Sequence, residues 1–259
     1  MMLAVAATHG CDESGGLTTP RNDATPEGGG PDRGPFAFDA AADAPTGVTV
    51  IDDSFGAPGA WPQPWRAIGG VDRAEVSGGV ARLSPEVSAY SLARMHHPGS
   101  ALDFDARFRV RFSEPGTQGA GFYVRQNGGY LRQTTPRGQG YAAFLEGFRA
   151  PARIGVWREL DGVEQEITTV ALPGGVLLAG VDYLVRFTVT QDGPTSTRLH
   201  AEVTRADQPG APPTVVDTID STIALQERTG GVAIDAWSTR QTGGPAADIS
   251  FDDVRVTGR

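Results

Sequence analysis

The stretch Phe104-Asp-Ala-Arg-Phe-Arg-Val-Arg-Phe112 sets an apolar side chain at every second position and charge between. Side chains alternate faces along an extended backbone, so this spacing predicts a strand with one buried and one polar face. The same two-residue period recurs at 48–55, 79–83, 121–126, 141–147, 152–160, 163–170, 183–191, 198–205, 231–238 and 249–257. Gly, Pro and Asp punctuate these runs every ten residues or so, as turns between strands require. No amphipathic helix is predicted beyond a turn near 221–227. A dozen short strands without helices can bury their apolar faces only by stacking two antiparallel sheets. The predicted fold class is therefore all-β, a two-sheet jelly-roll sandwich over 48–259.

Composition removes whole classes of chemistry. All 22 basic residues are arginine. A chain without lysine has no phosphate-loop lysine, Schiff-base amine or lysine general base. One cysteine, Cys11, rules out an intrachain disulfide and a multi-cysteine zinc site. The four histidines show no metal-like spacing, and His96-His97-Pro98 reads as a loop. The net charge of −9 repels phosphate backbones, so nucleic acid is not an expected partner. Residues 12–47 hold seven Asp/Glu against two Arg, a net −5, leaving −4 for the rest.

Five segments carry a resemblance. They open at Asp182-Tyr-Leu-Val-Arg-Phe, Thr197-Arg-Leu-His-Ala-Glu-Val, Asp220-Ser-Thr-Ile-Ala-Leu, Gly230-Gly-Val-Ala-Ile-Asp-Ala-Trp and Ile249-Ser-Phe-Asp-Asp-Val-Arg-Val. Together they resemble the C-terminal half of laminin-G-like, concanavalin A-like lectin/glucanase domains of secreted bacterial proteins. Asp53-Ser54-Phe55 and Trp65 resemble the opening of the same domains. The resemblance spans roughly 48–258 and is strongest in the last eighty or so residues. It implies a jelly roll, a fold that hosts lectins, hydrolases, lyases and passive spacers. It also implies a calcium ion joining the first strand to the last, with Asp52 or Asp53 and Asp252 at the matching positions.

Ahead of the predicted domain, residues 1–11 resemble the tail of a lipoprotein signal peptide, with Gly10-Cys11 at the acylation position. Residues 12–47 are rich in Gly, Pro, Thr, Asp and Ala, and bury too little surface to offset the entropy of ordering. A lone cysteine, an acidic spacer and a compact domain are the layout of a surface lipoprotein. The expectation is lipid attachment at Cys11 and an extracellular or cell-surface location; the alternative is a stray thiol in a leader.

Two sets of residues are candidates for chemistry. Glu159-Leu-Asp161-Gly-Val-Glu164 resembles the catalytic Glu-x-Asp-x-x-Glu of laminarinase-like glycoside hydrolases. Retaining hydrolysis needs two carboxyls about 5–5.5 Å apart. Asp161-Gly162, however, sits between alternating runs and reads as a two-residue hairpin turn, placing Glu159 and Glu164 near an exposed tip. The second set comes from parity. If Phe122 and Val124 point inward, Tyr123 and Arg125 face out; Ile154 and Val156 leave Trp157 and Glu159; Val232 and Ile234 leave Asp235 and Trp237. With Tyr141, these make a surface of rings, Arg and Asp suited to a polysaccharide. The expected function is thus non-catalytic carbohydrate binding by a surface lipoprotein. The alternatives are a divergent glycoside hydrolase or polysaccharide lyase using Glu159, Asp161 and Glu164, and a protein-docking module.

Overall fold

The computed structural model describes residues 47–87, 91–240 and 247–259. Cys11 and the predicted tether through residue 46 lie outside the described residues.

The described residues form two antiparallel sheets. The strands are β1 (Val48–Asp53), β2 (Arg66–Gly69), β3 (Val71–Ser77), β4 (Val80–Pro85), β5 (Leu92–Ala101), β6 (Phe104–Phe112), β7 (Gln118–Gln126), β8 (Gly140–Glu146), β9 (Arg153–Leu160), β10 (Val163–Ala171), β11 (Asp182–Gln191), β12 (Thr197–Arg205), β13 (Thr214–Asp220), β14 (Gly230–Ser238) and β15 (Ile249–Gly258). One sheet runs β13-β12-β11-β6-β15-β4-β3, with β1 also paired to β15. The other runs β10-β9-β8-β7-β14-β5-β2.

Alternation builds the space between the sheets. On β6, Phe104, Ala106, Phe108, Val110 and Phe112 are all buried in the main core, and Phe108 stacks on Phe122 of β7 at 4.7 Å. Each such ring stabilises the sandwich by about 1.5–3 kcal/mol. The arginines between them turn to the outer face, where Arg111 pairs with Asp182 of the neighbouring β11.

Strand β5 departs from expectation: His96 and His97 lie inside it rather than in a loop. Its first six residues are buried, because neighbours cover both faces, so the polar–apolar rhythm that marks a half-buried strand is lost. Pro98 falls where the pairing with β14 slips its register, and no ladder hydrogen bond is required of it there. Strands β2, β3 and β13 were also not predicted, being short or largely exposed.

Candidate functional site

The outward face of the seven-stranded sheet carries an aromatic cavity above a buried ion cluster. Two strand glycines begin it. At Gly121 and Gly119 of β7 the backbone is bare, and the rings of Phe144 and Phe148 lie over it; a Cβ added there would come within 2.8 and 2.9 Å of those rings. Phe144 meets Trp157 of β9 edge-on at 5.7 Å, and Phe148 stacks on Trp237 of β14 at 5.9 Å. These four residues line a cavity of about 450 Å³, together with Glu164, Glu146, Arg132, Gln133 and Arg149. Trp157 Nε1 is buried and has no hydrogen-bond partner.

Beneath one end lies Arg94 of β5, with its side chain wholly buried. It donates from Nε and Nη2 to the two carboxylate oxygens of Asp235, both at 2.7 Å. Nη1 donates to Glu159 Oε2 at 2.7 Å, and Nη2 lies 3.5 Å from Glu164 Oε1. The guanidinium carbon sits 4.3 Å from the centre of the Tyr123 ring, whose hydroxyl donates to Glu164 Oε1 at 2.5 Å. The β7–β8 connection seals this cluster. Gly129 O accepts from Arg94 Nη1, Tyr130 donates its hydroxyl proton to Leu92 O at 2.6 Å, and Leu131 is buried.

One guanidinium thus faces three carboxyls, of which Glu159 and Asp235 are sealed with it and Glu164 is nine-tenths buried. Burial, opposed by Arg94 and reinforced by Asp235 and Glu159, pushes the Glu164 carboxyl up to about 7. Burial also raises Asp235 and Glu159, against the pull of Arg94. Tyr123 is raised, first by burial and then by Glu164, and so keeps its proton. Burial works against the charge of Arg94, but its carboxylate partners more than offset this and hold it protonated. All three carboxyls are thus pushed toward holding a proton, and Glu164 is the member that reaches the cavity.

The structure brings together Tyr123, Trp157, Glu159, Glu164, Asp235 and Trp237 on this face. Two residues of the predicted surface lie elsewhere. Arg125 has φ +53° beside a register slip between β14 and β7, and this bulge reverses its direction. Its guanidinium donates to Leu102 O and Thr197 Oγ1, on the side of the other sheet. Tyr141 is cross-strand partner of the inward Val124, belongs to the main core and donates its hydroxyl proton to Asp220 Oδ2 at 2.8 Å.

The hairpin at 161–162 forms as predicted, with φ +52° at Asp161 and +74° at Gly162. Its expected exposure is corrected: Gly162 is buried against Leu131, and Glu159, paired in register with Glu164, is fully buried. Only Asp161 points away, to Arg137 at 2.9 Å. Arg94, Phe144 and Phe148 were missed. Arg94 sits in a strand without a visible period, while the alternating Gly119 and Gly121 were the one available sign of rings lying on bare backbone.

Of the calcium positions that the resemblance implies, Asp52 lies on the outward face with Arg255 at 3.4 Å, while Asp53 is turned inward. Asp53 pairs with the inward Val254, and its oxygens accept from Trp65 Nε1 at 3.0 Å and Phe55 N at 3.4 Å. Asp252 pairs with the outward Arg109, and so shares its face with Asp52 and not with Asp53. Among the described residues, no three His, Cys, Asp or Glu side chains gather as cation ligands.

No protein-family model matches the chain, and no curated protein matches it in sequence. Solved structures do match in shape. A basic winged bean lectin with Tn-antigen aligns over 81% of this chain and 97% of its own, at 13% identity and a TM-score of 0.55. A Bacillus subtilis protein of unknown function with a galectin-like fold aligns over 82% and 96%, at 14% and 0.54. An alginate lyase from Aplysia kurodai aligns over 82% and 100%, at 11% and 0.53. At such identities the likeness reaches the fold alone: the chain is an all-β, concanavalin A-like sandwich, an architecture shared by lectins and a polysaccharide lyase.

Proposed function

We propose that this chain is a non-catalytic glycan-binding module of a bacterial surface protein, held to the membrane through Cys11. The observation that carries this reading is the cavity of about 450 Å³ with Phe144, Phe148, Trp157 and Trp237 as its walls. Flat apolar rings match the C–H faces of sugar rings, and Glu164 and Gln133 supply partners for hydroxyls.

Hydrolysis is the weaker reading for a steric reason. Two-carboxyl chemistry needs both groups at the scissile bond. Here Glu159 and Asp235 are fully buried and tied to Arg94, and Glu146, the other carboxyl that lines the cavity beside Glu164, is tied to Arg149 and Arg153.

The test is a glycan array followed by calorimetry on the hits. Trp157→Ala is expected to weaken any hit at least tenfold while the protein still melts cooperatively. An array without hits, or a hit indifferent to Trp157, overturns the proposal. Surface attachment is checked separately by mass spectrometry of the membrane fraction, where a mature chain without diacylglycerol on Cys11 removes it.

A further inference from the structure

We infer that the cavity selects glycans bearing a protonated primary amine, seated between the carboxyl of Glu164 and the rings of Trp157 and Phe144. This rests on the glycan-binding reading and names its ligand class.

Three observations converge. The Glu164 side chain is nine-tenths buried, with Oε1 held by Tyr123 and near Arg94. Its second oxygen accepts no hydrogen bond from the described residues, is not among the sealed unpaired atoms, and belongs to a residue that lines the cavity. A fixed acceptor therefore opens onto the ligand space. Second, the charges beneath it do not balance: Arg94 is one cation against Asp235, Glu159 and Glu164. Such a deficit is relieved by a proton or by a cation from the ligand. Third, the walls around the carboxyl are aromatic, and their π faces attract an ammonium group.

The surrounding groups on each packed element agree. Arg94 on β5, Tyr123 on β7, Asp235 on β14 and Glu159 on β9 face Glu164, and their sum is negative. At the rim, Arg149 lines the cavity over the Phe148 ring, its charge offset by the paired Glu146. Arg132, exposed on the β7–β8 connection, is the cation that opposes an amine. A uronate carboxylate would meet the excess negative charge of the floor. A neutral acetamide would leave the deficit as it stands.

The experiment is calorimetric titration of the full chain at pH 7 with a glucosamine tetramer and with its fully N-acetylated counterpart. The free amine is expected to bind at least tenfold tighter. Glu164→Gln should erase the preference, and Arg132→Ala should tighten the amine ligand about twofold. Equal affinity for the two tetramers, both lost in Trp157→Ala, overturns the amine selection and leaves glycan binding standing. A preference that survives Glu164→Gln, or an amine ligand weakened by Arg132→Ala, also overturns it. No glycan binding of any kind removes the parent proposal and this inference together.

Discussion

Two arginines in this molecule hold an aspartate in the same way. Arg94 grips Asp235 and Arg111 grips Asp182, each through Nε and Nη2 at 2.7 Å. Their surroundings differ completely. The Arg94 pair is sealed, both side chains at 0% exposure, whereas Arg111 and Asp182 are 39% and 14% exposed. Around Arg111 further groups of both signs share the outer face, with Arg109 reaching Asp182 and Asp253. Around Arg94 there is one cation and an excess of carboxyls. Geometry alone therefore does not say what an ion pair does. On the solvated face it covers a sheet; under the cavity it sets the protonation of a group that a ligand can touch.

The comparison breaks most sharply at Arg94. Arg94→Met leaves Asp235 and Glu159 buried without their cation, and should cost about 3–5 kcal/mol in urea unfolding. A loss below about 1 kcal/mol would show that the cluster is hydrated and the two regions are alike. The next effect depends on pH. The Glu164 carboxyl lies near 7 when folded, above its ordinary 4.5. Its protonated form therefore favours the folded state: the contribution is complete below about 4.5 and is lost as pH rises through 7. The size is on the order of 3 kcal/mol. Glu164→Gln should thus unfold at clearly higher urea than the parent at pH 8.5, with the gap closing toward pH 4.5. Identical pH profiles for the two proteins would remove the buried deficit from the account. Smallest is Arg111→Met, expected within about 1 kcal/mol of the parent, because solvent screens what it loses. A larger cost would mean that the outer face is as dry as the cavity floor.

Some of the site was legible before folding. Parity placed Tyr123, Trp157, Asp235 and Trp237 on one face, because each lies on a strand whose other face is plainly apolar. The same rule misplaced Arg125, where a bulge with φ +53° breaks the period it relies on. It could not find Arg94, whose strand is covered on both faces and shows no rhythm. The turn at Asp161-Gly162 was legible from local backbone preference alone. What covers that turn was not: Leu131 arrives from thirty residues away in the chain.

By itself the sequence determined the two sheets and their buried faces, since a period of two is a local consequence of extended backbone. It determined as well that no lysine and no intrachain disulfide takes part in the chemistry. Only the tertiary structure decided that Glu159 would be sealed, that Glu164 would open onto an aromatic cavity, and that one arginine would serve three carboxyls. Burial and charge balance are sums over groups from β5, β7, β9, β10, β14 and the β7–β8 connection, and such a sum has no value until those strands are side by side.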